Sequence, residues 1–267
     1  MELYLIAVVV GIVEGVTEFL PVSSTGHMII VGHMLGFDGP LASVFEVFIQ
    51  LGAILSVIFI YKERFARFFT RDGWDAKKGL SAWHVLAGIL PVMAVGYLAH
   101  HYIKTYLFSP YTVVVGLVLG GLLMIYAEKR MGSRNKELLQ DVDKLTLNQA
   151  WKIGLYQLLA LWPGFSRSGS TMAGAMLVGV SRTVAAQYTF LIAVPLMFVA
   201  CIYDLLKNIH NLGTGGMEIL AIGFVVAFIT AYFSVLWFLK FLNKYSLTAF
   251  AYYRIVLAAA ALIYFGL

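Results

Sequence analysis

Two acidic residues, Glu14 and Glu18, lie four positions apart in an apolar segment near the start of the chain. At that spacing two side chains share one face of a helix, where like charges repel, and burial in a membrane increases the penalty. A shared proton would relieve the conflict, as would a divalent cation, Mg²⁺ or Ca²⁺, whose coordination shell is completed by phosphate oxygens. Alternatively, one or both acids point to an aqueous boundary. We predict that Glu14 and Glu18 are metal ligands and catalytic residues.

A polar run follows the acidic pair and consists of Ser23, Ser24, Thr25, Gly26 and His27. Small hydroxyls and glycine let backbone N–H groups approach a phosphate, whereas a plain helix cap would explain only one hydroxyl. Ser24 is a candidate nucleophile, with His27 or a glutamate accepting its proton. His27 could itself attack phosphorus, or it could be a structural histidine. We predict that Ser23, Thr25 and Gly26 bind phosphate.

A second polar run contains Ser166, Arg167, Ser168 and Thr171. The guanidinium of arginine is permanently charged and its planar fork matches phosphate oxygens. In an apolar segment such a charge needs an anionic partner, so the alternative is a structural ion pair with the acidic pair. We predict that these four residues bind phosphate and that Arg167 is also catalytic. For Arg254, in another apolar segment, we predict a structural role in an ion pair.

The composition indicates that the segments that position these residues lie in a lipid bilayer. Of the 267 residues, 61% are hydrophobic and 12% are charged, whereas a soluble domain carries about 25% charged residues. Six apolar stretches are long enough to cross a bilayer, which takes about 20 helical residues. The stretches are Ala42–Tyr61, Trp83–Tyr102, Tyr111–Ala127, Val184–Tyr203, Met217–Leu239 and Leu247–Phe265.

Two further regions, residues 3–37 and 153–180, are apolar but interrupted by the two polar runs. Each arm has about half the length needed to cross a bilayer at about 1.5 Å per residue. Irregular backbone at membrane depth is tolerated only where it lines a protein-enclosed cavity. We therefore predict an all-α polytopic membrane protein with six transmembrane helices and two re-entrant hairpins of half-helices.

The two interrupted regions resemble each other at a fixed offset of 143 residues. Three long stretches follow each of them, so we predict two halves, residues 1–128 and 149–267, of a single membrane domain that covers residues 1–267. Three crossings separate the hairpins, which therefore enter from opposite faces as an inverted repeat whose tips meet near the midplane. The matched residues are Gly11 with Gly154, Ser23 with Ser166, Gly26 with Gly169 and Gly36 with Gly179, and Glu14 matches Gln157.

The net charge of +5 does not indicate nucleic-acid binding, because most basic residues lie in short connections between apolar stretches. In the predicted threading, thirteen lie on one side and two on the other. Positive residues mark the cytoplasmic side, so both termini and the opening of the first hairpin lie outside the cytoplasm. The thirteen are Lys62, Arg64, Arg67, Arg71, Lys77, Lys78, Lys129, Arg130, Arg134, Lys136, Lys144, Lys240 and Lys244; Lys104 and Lys207 are the two.

The two polar tips resemble the signatures of the undecaprenyl-diphosphate phosphatase family of the bacitracin-resistance type. The first signature is the acidic pair, Glu14 and Glu18, followed by Pro-Val-Ser-Ser-Thr-Gly-His at residues 21–27. The second is Pro-Gly-Phe-Ser-Arg-Ser-Gly at residues 163–169, with Thr171 beyond it. No motif position departs from the family pattern, and the length and the order of apolar stretches also match.

The resemblance implies hydrolysis of a C55 polyprenyl diphosphate to the monophosphate and inorganic phosphate. That reaction recycles the lipid carrier of cell-wall synthesis and confers bacitracin resistance. It further implies a divalent metal, and an active site on the outer side of the bacterial cytoplasmic membrane that contains Glu14, Glu18, Ser24, His27 and Arg167. A homodimer is compatible with the sequence.

Two other functions fit the same pattern. A lipid-phosphate transporter or flippase could use an anion site at the midplane of an inverted repeat without any chemistry. A structural membrane subunit could use the buried ions only to fix its packing. The structural subunit is the least favoured of these functions, because ionisable groups concentrate at the two tips while the long apolar stretches carry few charges.

Overall fold

The computed structural model describes residues 2–107, 109–133, 138–208 and 216–266. Within these ranges the chain is helical, without any β-strand, apart from one isolated bridge between Leu139 and Val180. The α-helices are α1 (Glu2–Thr17), α2 (Ser24–Met34), α3 (Gly39–Ile60), α4 (Lys62–Phe68), α5 (Ala82–Leu107), α6 (Pro110–Gly132), α7 (Leu147–Gln157), α8 (Arg167–Leu177), α9 (Arg182–Asn208), α10 (Gly216–Leu242) and α11 (Thr248–Phe265).

Six of these helices are long and apolar enough to cross a membrane, and they coincide with the six predicted stretches. The prediction of an all-helical, multi-pass integral membrane protein is therefore confirmed. Insertion of the short helices as re-entrant hairpins, and the division into halves, stay predictions. Arg134 and Lys136, which contribute to the predicted charge asymmetry, lie outside the described residues.

The first compact unit comprises Met1–Leu20, Ser24–Lys62 and Ala193–Phe238. In it α1 packs against α2 and α3, and two glycines bring α1 close to α10. A Cβ atom on Gly15 would lie 1.9 Å from Thr230 Oγ1, and one on Gly11 would lie 2.9 Å from the carbonyl oxygen of Gly223. Small residues allow such close helix packing in membranes.

The second compact unit comprises Pro21–Ser23, Glu63–Ile192 and Leu239–Leu267. Here α6 packs against α8 and α11, and α7 packs against α5 and α8. The pairing of α7 with α8 therefore gives the second broken region the same helix–turn–helix form as α1 with α2.

Two ion pairs fix connections within the second unit. Arg64 donates two hydrogen bonds to Asp143, at 2.7 and 2.8 Å, and the Leu80 N–H donates to the same carboxylate at 3.0 Å. Arg182 pairs with the buried Glu128. Glu128 also accepts the backbone N–H of Leu247 at 2.7 Å, so one carboxylate links the end of α6 to the starts of α9 and α11.

The backbone conformations of the two hairpins agree with the offset of 143 residues. Ser23 has φ 71° and Ser166 has φ 70°, and within the described residues these are the non-glycine positions with positive φ. Each directly precedes a short helix, α2 or α8, whose bounds are also 143 residues apart. Gly36 and Gly179, which end the matched segments, both have positive φ as well. The two broken regions therefore have the same local backbone pattern, and the repeat of whole halves stays a prediction.

Candidate active site

The acidic pair lies at the end of α1. Glu14 is completely buried and Glu18 is 8% exposed. The N–H of Glu18 donates to the carbonyl oxygen of Glu14 at 2.9 Å, so the helical spacing continues through Glu18, one residue beyond the helix. Two carboxylates thus follow each other by one helical turn inside the protein, as the spacing predicts.

Ser24 is the first residue of α2 and is in direct contact with Glu18 of this pair. Its Oγ donates to Glu18 Oε2 at 2.5 Å, a short bond of the kind that a hydroxyl forms with a charged acceptor. A hydroxyl bonded to a buried carboxylate has the geometry of a nucleophile with its base. Within the first unit, the structure therefore brings Glu18 and Ser24 together.

The other residues of the first tip differ in exposure. Ser23 and Gly26 are buried, His27 is half-buried and Thr25 is exposed. They occupy the residue before α2 and its first turn, where backbone N–H groups and the helix dipole favour an anion. The predicted roles of His27 in proton transfer and of Thr25 in phosphate binding stay predictions.

In the second hairpin, Ser166 caps α8. Its Oγ accepts the N–H of Gly169 at 3.1 Å and lies 3.1 Å from Ser168 Oγ. Arg167 follows as the first residue of α8 and is half-buried, while Ser166 and Ser168 are buried. The tip therefore presents a guanidinium at a helix N-terminus, and two of the hydroxyls predicted to bind phosphate are already part of a hydrogen-bonded cap.

Thr171 and Gln157 connect α8 to α7. The Oγ1 of Thr171 donates to the carbonyl oxygen of Arg167 at 2.7 Å and lies 3.4 Å from Gln157 Oε1. The amide of Gln157 in turn donates to the carbonyl oxygen of Gly88 at 3.1 Å. Gln157 matches Glu14 in the first hairpin, yet its observed contacts are those of a packing residue. Phosphate binding by Thr171 stays a prediction.

Arg254 differs from the sequence prediction in its partners. It is completely buried, which fits a structural role, but among the described residues it forms no ion pair. Its Nη2 instead donates to the carbonyl oxygens of Gly164, Phe165 and Gly116, at 2.9, 2.8 and 3.2 Å. No sequence pattern indicates this contact, because every residue has a carbonyl acceptor and none is marked by its residue type.

The available ligands limit the kind of cation that could bind. No cluster of three or more histidine, cysteine, aspartate or glutamate side chains forms within the described ranges. Glu14 and Glu18 supply only carboxylate oxygens, which suit a hard cation such as Mg²⁺ that is completed by water and substrate phosphate. The donor set thus fits a cation that binds together with its substrate.

Comparison with known proteins places these motifs in a family. The family model of the bacitracin resistance protein BacA matches residues 7–260. The chain is 48% identical over 255 residues to undecaprenyl-diphosphatase 1 of Bacillus thuringiensis (strain Al Hakam), with 95% of each chain covered. It is 48% identical over 253 residues to undecaprenyl-diphosphatase 1 of Bacillus anthracis, with 94% of each chain covered. The chain therefore belongs to the BacA family of bacitracin resistance proteins.

Proposed function

We propose that the chain hydrolyses undecaprenyl diphosphate to undecaprenyl phosphate and inorganic phosphate in a bacterial membrane. The observation that supports catalysis, as opposed to binding alone, is the hydrogen bond from Ser24 to the buried carboxylate of Glu18. An anion-binding site needs donors and positive charge, whereas a hydroxyl that faces a carboxylate is suited to attack. The relatives at 47–48% identity are named as this enzyme.

In the proposed reaction Ser24 attacks the terminal phosphorus and its proton passes to Glu18. The bond between that phosphorus and the bridging oxygen breaks, which releases the lipid monophosphate. Water then hydrolyses the phosphoserine and inorganic phosphate leaves. His27 is the second candidate for the proton transfers, and Arg167 neutralises phosphate charge that grows in the transition state.

Glu14 and Glu18 would hold a divalent cation, Mg²⁺ or Ca²⁺, in the proposed site. Such an ion supplies positive charge to the phosphate oxygens. The buried position of both carboxylates supports this assignment, because two adjacent buried negative charges require a compensating charge or a proton.

The proposed orientation places both termini and the active site on the non-cytoplasmic side of the bacterial cytoplasmic membrane. Its support is the distribution of basic residues in the connections, thirteen against two. Labelling of single cysteines introduced at Lys77 and Lys207 with a membrane-impermeant reagent tests it. In intact cells only the Lys207→Cys variant should react, and reaction of Lys77→Cys alone would reverse the orientation.

Phosphate release by the purified protein in detergent tests the function directly. We expect inorganic phosphate from undecaprenyl diphosphate, and we expect a chelator to abolish its release. Detergent removes the two compartments, so a transporter without chemistry would release none. That negative result from folded wild-type protein would overturn the phosphatase assignment.

The Ser24→Ala variant then tests the nucleophile. Loss of the attacking hydroxyl should lower kcat by about 1,000-fold or more. Ser43→Ala is a matched control, because Ser43 is an exposed residue of α3 whose hydroxyl donates to the carbonyl oxygen of Gly39 in its own helix. If Ser24→Ala kept most of its turnover, attack by His27 or by water would replace attack by serine.

A further inference from the structure

Arg254 of α11 contacts the turn that leads to Arg167. One nitrogen of its guanidinium, Nη2, donates to the carbonyl oxygens of Gly164 and Phe165, at 2.9 and 2.8 Å. These residues come 90 and 89 positions before Arg254 in the chain, and Phe165 is separated from Arg167 only by Ser166. The side chain therefore fixes the backbone immediately before the second tip.

The surrounding helices are shaped to admit this guanidinium. A Cβ atom on Gly120 of α6 would lie 2.2 Å from Arg254 Nη2 and 2.5 Å from the carbonyl oxygen of Phe165. On the other side, a Cβ atom on Gly169 of α8 would lie 2.9 Å from Arg254 Nη1. Any side chain at Gly120 would displace either the arginine or the turn.

The burial of Arg254 is not explained by stability. Its described partners are three carbonyl oxygens and the sulfur of Met124, and none of them carries a full negative charge. Taking a charge out of water without a counter-charge costs several kcal/mol, and hydrogen bonds to neutral carbonyl oxygens offset that cost only in part. A function that needs the guanidinium would explain its presence.

The contact has a geometric consequence for the tip. A trans peptide unit is planar, so its N–H points opposite to its C=O, and the described residues contain no cis peptide bond. By holding the Phe165 carbonyl oxygen, Arg254 turns the N–H of Ser166 away from itself. It thereby favours the positive φ of Ser166, the conformation from which α8 and Arg167 begin.

We propose that Arg254 is a positioning residue for the reaction, because its hydrogen bonds to Gly164 and Phe165 fix the turn that presents Arg167 to the substrate phosphate. This inference rests on the proposed phosphatase function. Arg254 acts through the backbone and need not touch the substrate. A small misplacement of a binding group can reduce turnover by about 100-fold, so the effect of its loss is measurable.

The test compares Arg254→Met with Arg254→Lys in purified, folded protein. We expect Arg254→Met to keep its melting temperature within about 4 °C while its kcat/KM falls by about 100-fold. Arg254→Lys, which retains charge and donors, should recover part of that loss. If Arg254 were purely structural, its loss would lower the melting temperature and leave kcat/KM per folded molecule unchanged. Arg182→Met is the control for that outcome, because it breaks the ion pair with Glu128.

Gly120→Ala provides a second test that leaves Arg254 in place. It should lower kcat/KM because its methyl group displaces the guanidinium, whereas Gly132→Ala on the same helix enters open space and should have no effect. The inference would be overturned if Arg254→Met had the turnover of the wild type per folded molecule. If Arg254→Met does not fold, the same result in Gly120→Ala would overturn it. Absence of phosphate release from the wild type would instead overturn the proposed function.

Discussion

The two hairpins have similar backbone conformations but different side chains at matched positions. In both, a serine with φ near 70° precedes a short helix, and the helices α2 and α8 have equal lengths. At matched positions the first hairpin has Glu14 and Ser24 where the second has Gln157 and Arg167. The acids and the hydroxyl thus lie on one copy and the guanidinium on the other.

In the proposed mechanism this difference assigns separate tasks to the two hairpins. The backbone supplies the common property, a helix N-terminus that favours an anion. In the proposed mechanism the side chains then add the properties that differ, which are proton transfer and cation binding in the first hairpin and permanent positive charge in the second. The following predictions exchange or remove these side chains.

Among the exchanges between the two hairpins, the largest effect is expected where the buried acid is replaced by its counterpart. Glu14→Gln introduces the residue that the second hairpin has at the same position. It should reduce kcat by about 100-fold or more, because the proposed site loses a buried carboxylate. The rate of phosphate release from Glu14→Gln, compared with that of the wild type, tests this prediction. The reciprocal Gln157→Glu should lower stability but not turnover per folded molecule, since Gln157 donates to the Gly88 carbonyl oxygen. A larger loss of turnover in Gln157→Glu would reverse the assignment.

A smaller effect is expected from Arg167→Lys, which keeps the charge but removes the planar fork. We expect kcat/KM to fall by about 10- to 100-fold, because a hydrogen bond to a charged group contributes about 1.5–3 kcal/mol. The pH profile of turnover should keep its shape, since the proposed mechanism assigns no proton transfer to the second hairpin. A shifted pH optimum in Arg167→Lys would show that the two tasks are not separate.

The shared backbone can be tested at Ser166. Ser166→Ala should reduce the free energy of unfolding by about 1 kcal/mol, because the cap to Gly169 is lost. Ser166→Gly should reduce it less, since glycine adopts a positive φ without strain. Thermal unfolding in detergent measures both variants. Equal losses of unfolding free energy in the two variants would argue against a strained turn. Ser23→Gly tests the corresponding turn of the first hairpin in the same way.

The smallest effect concerns Asp143, which precedes the second hairpin in the chain. The hydrogen bond from Arg64 lowers the pKa of Asp143 from 3.8 to about 2, and the Leu80 N–H acts in the same direction. Because the folded-state pKa is depressed, the ion pair stabilises the protein above about pH 4 and this contribution is lost as the pH falls toward 2. The side chain is 35% exposed, so we expect only about 0.5 kcal/mol.

The measurement for Asp143 is the melting temperature of Asp143→Asn against the wild type across this pH range. The difference between the two proteins should shrink as the pH falls from 4 toward 2. A difference that stays constant would mean that ionisation of Asp143 does not contribute. Turnover per folded molecule should be equal in both proteins at neutral pH.

The membrane architecture was predictable from the sequence because it depends on local composition. A long helix needs only a sufficiently long apolar stretch, which is why all six were found. The breaks between the half-helices were visible because Pro and Ser-Ser-Thr-Gly interrupt an apolar run. The pairing of Glu18 with Ser24 follows from their short separation, six residues, which leaves few alternatives.

The partners of Arg254 were not predictable. They lie 89 to 138 residues away in the sequence, and they are backbone atoms, so no residue type identifies them. The sequence prediction of an ion pair followed the general rule that buried charges are paired. That rule fails here because several carbonyl dipoles around one guanidinium replace the single carboxylate.

The carboxylate of Glu128 has a consequence for the order in which the chain is assembled during translation. Its guanidinium partner, Arg182, leaves the ribosome 54 residues later, and the N–H of Leu247 follows 119 residues after Glu128. The nascent third long helix therefore carries a carboxylate whose final neutralisation awaits later segments. The cap of α11 likewise uses a carboxylate made long before it, so this link within the second unit forms only after Leu247 has been synthesised.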